Sequence, residues 1–345
     1  MEITLFSPID NEKVNIAPKH QDEILASLPN NSGVIEDTFA WQNPVVGKGD
    51  FSKPQSIVFS WNMQGDFSNV TDIYLLLSNN IDFDNPEEYR IEPGQMFLSL
   101  TNFIRNTEYY WKMAAYSDAF MLCESEVGSF RTDNKLPQWF DIDGISNVRD
   151  IGGWKAKDGK TVKEGMIYRG SEMDNLLKIT PYGVSLMREM LHIKTDLDVR
   201  SDDEIPDITN LPIPDSEYIQ VPLKPYAHFE EEEQKKLYAD LFNILSNNEN
   251  YPIYLHCVAG ADRTGTAVYL LKALLGVSDE DNITDYELTS LCVFGARCRS
   301  QASFTEFVNK LSEYGSESEE QAYNYLISAG VTDETIQKIK SLLLI

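Results

Sequence analysis

Positive charge is scarce in this sequence: 29 Lys and Arg stand against 55 Asp and Glu, a formal net charge of −26. The deficit is spread along the chain, net −11 over residues 1–137 and −15 over 138–345, so it is not an acidic tail. Such a surface repels nucleic acid and anionic headgroups at long range, which argues against nucleic-acid binding. Long apolar runs are also missing. The longest, such as 267–271 and 342–345, are far too short to span a bilayer. Four cysteines (Cys123, Cys257, Cys292, Cys298) form no CxxC pair, and four histidines never approach one another at metal-ligand spacing. Neither a disulfide framework nor a metal site is expected. The start, MEITLFSPID, has no basic n-region or apolar h-region. A cytoplasmic protein is the default expectation, and a secreted or cell-surface one follows if a signal has been trimmed.

What is present suits two globular domains: 345 residues, 42% hydrophobic and 11% aromatic. Between about residues 45 and 132 the chain reads as short strands broken by Gly, Pro, Asn and Asp, at 56–61, 72–77, 97–100, 109–116 and 128–132. That spacing predicts an all-β sandwich over 43–134. Residues 1–42 give little beyond a short helix at 21–28. Near DNKLP, at 133–137, the texture changes. Strands at 194–199, 219–221 and 253–256 then alternate with helical patterns at 230–245, 264–275, 302–311 and 319–328. This predicts an α/β domain over 138–345 with a largely parallel sheet.

The chemistry is concentrated in one segment. An apolar strand ends at His256 and Cys257, and Val258, Ala259, Gly260, Ala261, Asp262 and Arg263 follow, before Thr264 opens an amphipathic helix. A loop curled at a helix N-terminus turns unsatisfied N–H groups inward, and the helix dipole adds positive potential. The product is a cradle for a tetrahedral oxyanion. Gly260 permits the tight curl, and Arg263 can grip two oxygens as a fork. Cys257 inside such a cradle is a thiolate nucleophile aimed at phosphorus, with Thr264 placed to hydrogen-bond its sulfur.

Residues 256–265, HCVAGADRTG, resemble the His-Cys-x5-Arg-Ser/Thr signature of the cysteine-dependent protein tyrosine phosphatase superfamily. Upstream, NVRDIGG (147–153), DGK (158–160), MIYRG (166–170) and TDLDVRS (195–201) with Glu204 resemble one bacterial branch of tyrosine and lipid phosphatases. The resemblance implies that Cys257 forms a phosphocysteine intermediate and that Arg263 binds phosphate. The amides of residues 258–263 complete the cradle, and no metal or organic cofactor is needed. No Trp-Pro-Asp loop is present, so Asp262 is the candidate general acid, with a raised pKa beside a bound dianion. A helix N-cap is the other reading of Asp262, and Asp198 is the runner-up acid. His256, Arg149 and Asp150 are supporting candidates.

The branch often has Lys where Ala261 stands, and the lack of lysine in the loop weakens a phosphoinositide or inositol polyphosphate reading. Arg297 and Arg299 are expected on a solvated face rather than at the pocket rim. The substrate expected is a phosphorylated protein or peptide, phosphotyrosine first, with the phosphoinositides as the alternative. A phosphate-binding pseudophosphatase is the alternative from another class. The segment FIRNTEY (103–109), then YWKM and VGSF (127–130), resembles a fibronectin type III domain. Thr107 and Tyr109 stand at the spacing of its tyrosine corner and Trp61 serves as its buried tryptophan, while Phe103 and Arg105 depart from its pattern. That domain is a spacer, a cover for the pocket or a docking surface.

Overall fold

The computed structural model describes residues 1–27, 49–205 and 212–345. Residues 43–48 of the expected sandwich and Leu28 of the expected first helix lie outside the described residues. The chain divides into two compact units, Met1–Ala17 with Pro54–Lys135, and Pro18–Lys53 with Leu136–Ile345. It therefore passes from one unit to the other three times.

The first unit is all β. Strands β1 (Glu2–Ser7), β3 (Ile57–Gln64) and β6 (Phe97–Leu100) form one antiparallel sheet. The second sheet runs β2 (Glu12–Val14), β9 (Gly128–Thr132), β7 (Glu108–Ser117), β4 (Asp72–Ser78) and β5 (Glu87–Arg90), and β8 (Phe120–Glu124) also pairs with β7. Alternation in β3 turns Ile57, Phe59 and Trp61 inward. There they meet Leu75, Trp111, Met113 and Phe130, and each fully buried side chain of this size adds about 1.5–3 kcal/mol of hydrophobic stabilisation. Strands β1 and β2 precede the expected start of the sandwich. Their few alternating apolar residues gave no pattern long enough to read as strand.

The second unit opens with α1 (Gln21–Ser27) and a strap at 49–53. Its sheet has the order β10 (Arg149–Asp150), β11 (Ile167–Gly170), β14 (Ile253–His256), β12 (Thr195–Asp198) and β13 (Glu217–Gln220). Three neighbouring pairs are parallel and the β10–β11 edge is antiparallel, so the sheet is mixed rather than uniformly parallel. Strand β14 is central and buried at every position, as a strand covered on both faces must be. Helices follow in order: α2 (Pro181–Ser185), α3 (Glu232–Leu245), α4 (Arg263–Leu274), α5 (Asp279–Leu288), α6 (Ala302–Leu311), α7 (Ser318–Ser328) and α8 (Asp333–Leu343). Helix α4 is buried from Thr264 to Leu274 and carries the core over the sheet. No helix among the described residues is long and apolar enough to cross a membrane.

Candidate active site

The central strand hands Cys257, 2% exposed, to the loop that ends at the N-terminus of α4. Gly260 has φ +64°, and a Cβ there would lie 2.1 Å from the carbonyl oxygen of Gly170. Only glycine fits that turn. The loop's carbonyls are tied to the surrounding protein. Glu172 N–H donates to Val258 O at 3.0 Å, and Asn147 Nδ2 donates to Ala259 O at 3.0 Å and Gly260 O at 3.2 Å. Arg169 Nη2 reaches Gly260 O at 2.7 Å. With its carbonyls anchored outward, the curl presents its amides to the other side, beside Cys257.

Those anchors belong to a buried charge cluster. Arg149 and Arg169 share Asp285, at 2.8 Å and 3.0 Å, and Lys272 stands 3.6 Å from the same carboxylate. Burial opposes the charge on Asp285, but Lys272, Arg149 and Arg169 outweigh it and hold the carboxyl far below its usual range. Burial and Arg149 push Arg169 down to about 10, and burial pushes Lys272 down to about 8. Three cations to one carboxylate leave positive potential behind the loop. Arg149 also hydrogen-bonds the side-chain oxygen of Asn147, closing the link between α5 and the loop anchor. Asp150, by contrast, accepts the N–H groups of Gly152 (2.7 Å) and Gly165 (2.6 Å), so it organises a neighbouring turn rather than the loop.

On the other flank His256 Nε2 lies 2.9 Å from Asp196. Burial disfavours the imidazolium, yet Asp198 and Asp196 raise its pKa to about 9. Asp198 is buried and bound through both oxygens to Arg200, and it accepts the Tyr218 hydroxyl at 3.0 Å. Burial works against its charge, but His256 and Arg200 keep the carboxyl ionised, below its usual range. It is not among the residues that line the groove beside the loop.

The groove beside the loop has a volume of about 680 Å³, and its lining includes Arg263, Asp262, Arg297, Tyr226 and Lys224. Arg263 forks onto Glu204, whose Oε2 is fixed by the N–H (3.1 Å) and hydroxyl (2.7 Å) of Ser201. Hydrogen bonding to Arg263 lowers the Glu204 pKa to about 2. Asp262 takes the N-cap position of α4 but caps no N–H with its side chain. Instead it receives a two-point bond from Arg297, at 2.7 Å and 3.0 Å, and the hydroxyl of Tyr226, which sits 2.8 Å from that of Tyr286. Burial pushes the Asp262 pKa up, but Arg297 and Tyr226 outweigh it, and in the free site the carboxyl is held below its usual range. The raised value expected from the sequence belongs to a carboxyl beside a bound dianion, whereas in the free site a cation far along the chain holds it low. Arg297 is 18% exposed and belongs to the groove, not to a solvated face. Arg299 forks onto Glu287 and Glu280, outside it. Thr264 Oγ1 is buried and has no hydrogen-bond partner among the described residues, which leaves it available to the cysteine sulfur or a ligand. Among the described residues no cluster of His, Cys, Asp and Glu could hold a metal ion.

The sequence pointed to the contiguous part of this site. It did not assign roles to Asn147 and Arg169, though both lie in the motifs quoted, and it gave no signal for Tyr226 or for the Arg297 clamp.

A cysteine delivered by a central parallel strand to a loop that closes on a helix N-terminus, with an arginine opening that helix, is the arrangement of the cysteine-dependent phosphatases. Residues 140–345 match the model of the tyrosine phosphatase family, and the chain belongs to that family. Among solved structures, the chain is similar to the core catalytic domain of the PP-IP phosphatase SIW14 from S. cerevisiae in complex with citrate. They are 21% identical, over 43% of this chain and 86% of that one, with a TM-score of 0.32. A second structure, of the Siw14 catalytic core, is 18% identical over 51% of this chain and 85% of that one, TM-score 0.31. The fn3 domain of human contactin 1 is 14% identical over 24% of this chain and 69% of that one, TM-score 0.22. No curated protein matches the sequence.

Proposed function

We propose that this phosphatase hydrolyses phosphotyrosine in proteins or peptides. The observation that carries the reading is the charge balance of the groove. Each cation lining it already holds a carboxylate: Arg263 with Glu204, Arg297 with Asp262, and Lys224 with Glu231 at 2.7 Å. Leu223, Pro225 and Tyr226 supply an apolar wall. Such a groove suits one phosphate on an aromatic arm better than a ring bearing several phosphates.

In the proposed cycle Cys257 Sγ attacks phosphorus, and the S–P bond forms as the bond to the tyrosine oxygen breaks. The cradle amides and Arg263 hold the equatorial oxygens. The incoming dianion raises the proton affinity of Asp262 and competes for Arg297, so Asp262 binds a proton and gives it to the departing phenolate. Water then attacks phosphorus, Asp262 takes its proton, and the S–P bond breaks to release inorganic phosphate and restore the thiolate. No metal or organic cofactor enters these steps.

The finer readings are part of the same proposal. The Asn147 motif supports a bacterial branch of the family. The first unit is a fibronectin type III sandwich that docks the phosphorylated partner, supported by the Tyr109 hydroxyl accepting Ile104 N–H at 3.0 Å and by the buried Trp61.

The test is phosphate release from phosphotyrosine peptides, phosphoserine peptides, phosphoinositides and phytate, with Cys257→Ser as the blank. Phosphotyrosine turnover at least tenfold above the rest is expected. A preference for inositol phosphates would overturn the substrate, and turnover surviving in Cys257→Ser would overturn the nucleophile.

A further inference from the structure

Asn147, whose side chain anchors two carbonyls of the phosphate loop, has φ +66°. A left-handed backbone at a non-glycine residue persists only where its surroundings hold it. Arg149 Nη1 holds the Asn147 carbonyl at 3.3 Å, and the Asn147 N–H is held from outside the stretch that matches the family, residues 140–345. The Asn147 N–H donates to Ser52 Oγ at 2.9 Å, and Ser52 is 1% exposed. The Ser52 hydroxyl in turn donates to Asp50 Oδ1 at 2.5 Å, which leaves its lone pairs for Asn147, and Ser146 Oγ lies 3.3 Å away.

The strap is fixed on both sides of that contact. Phe51 N–H donates to Leu291 O at 2.9 Å. Lys53 Nζ donates to Ile142 O at 3.1 Å and Ile145 O at 2.9 Å, and pairs with Asp141 at 2.7 Å. These bonds put Ser52 in a defined place relative to the segment leading into β10. The chain of contact then runs from Asp50 to Ser52, to the Asn147 backbone, to the Asn147 amide, and to the carbonyls of Ala259 and Gly260.

We infer that Ser52 is a positioning residue for the phosphate loop, acting through Asn147 on the amides beside Cys257. The inference rests on the phosphatase class and not on phosphotyrosine as substrate, nor on Asp262 as the acid.

The experiment uses the full chain and reads three quantities. One is the time course of Cys257 alkylation by iodoacetamide at one fixed pH, taken as the difference from Cys257→Ser. The others are vanadate affinity and kcat with p-nitrophenyl phosphate. Ser52→Ala is expected to slow the alkylation several-fold, because amides that no longer converge beside the sulfur support its reaction less. Vanadate affinity and kcat should each fall about tenfold. In a cycle with Asn147→Ala the two substitutions should be strongly non-additive, since one acts through the other. Asp50→Ala, which leaves the Ser52 hydroxyl but removes its orientation, reads the same quantities if Ser52→Ala does not fold. A lowered melting temperature with an unchanged alkylation rate, or additive losses in the cycle, would show the strap to be structural only and overturn the inference.

Discussion

In the proposed cycle the Asp262 carboxyl gives up a proton in one step and takes one in the next. The Arg297 fork favours the second task, because a carboxylate paired with a guanidinium resists protonation. Removing that cation raises the Asp262 pKa. With hydrolysis of the phosphocysteine limiting, the carboxylate form then disappears at a higher pH than in the wild type. Arg297→Gln is therefore expected to move the acid limb of the kcat profile upward, with Arg297→Lys between the two. An unmoved limb would show that the clamp does not set the protonation of Asp262. Only half of this arrangement was legible in the sequence. Cys257, Arg263 and Thr264 lie in one short segment, 257–264, and their joint spacing is what the sequence reading used. Arg297 and Tyr226 reach Asp262 from 35 and 36 positions away, and nothing local to either announces it.

Among the elements, β14 carries the most consequence, since its neighbours β11 and β12 bring the groups that surround the loop. His256 at its end faces Asp196 of β12, and its pKa in the folded chain is about 9 against an ordinary 6.5. The stability from its charge is fully present below pH 6.5 and is lost as pH rises through 9. The folded state binds the extra proton throughout that window, so the slope is negative and at most about 1.4 kcal/mol per pH unit. Urea midpoints measured from pH 6 to 9 should fall in the wild type and stay flatter in His256→Gln. Equal slopes would remove His256 as the cause. The strand and α4 could be read from sequence because an apolar run meets a helical period there. Helix α5, DEDNITDYEL, was not, since its acidic first turn and buried Asp285 and Glu287 break the apolar period that marks a helix. Those buried charges are the residues that hold Arg149, Arg169 and Arg299.

For the whole molecule, a net charge of −26 sets a repulsive field around a site that takes an anion. Groove cations act over a few ångströms, whereas the surface field acts on approach. With a phosphotyrosine peptide, kcat/KM should rise as ionic strength goes from about 0.01 M to about 0.15 M, over which the screening length shrinks from roughly 30 Å to roughly 8 Å. A fall over that range would mean that local cations steer the substrate. The acidity and the boundary in texture near residue 135 could be read from composition. The strap at 49–53 could not, because its bonds are to segments far along the chain and its five residues have no periodic signal.

That strap also fixes an order of events during synthesis. The chain leaves the ribosome N-terminus first, at about 5–20 residues per second. Ser52 therefore emerges 95 residues, or about 5–20 s, before the Asn147 that it restrains. Within that interval the last strand of the first unit, β9, has been made. The sandwich can fold while the strap is still a loop awaiting its partners. Leu291, which accepts the Phe51 N–H, is made later still, after Cys257 itself. The nascent protein thus carries Cys257 before Asp285, which holds Arg169, and Leu291, which holds the strap, have been made, so the loop's supports assemble only after its cysteine has emerged.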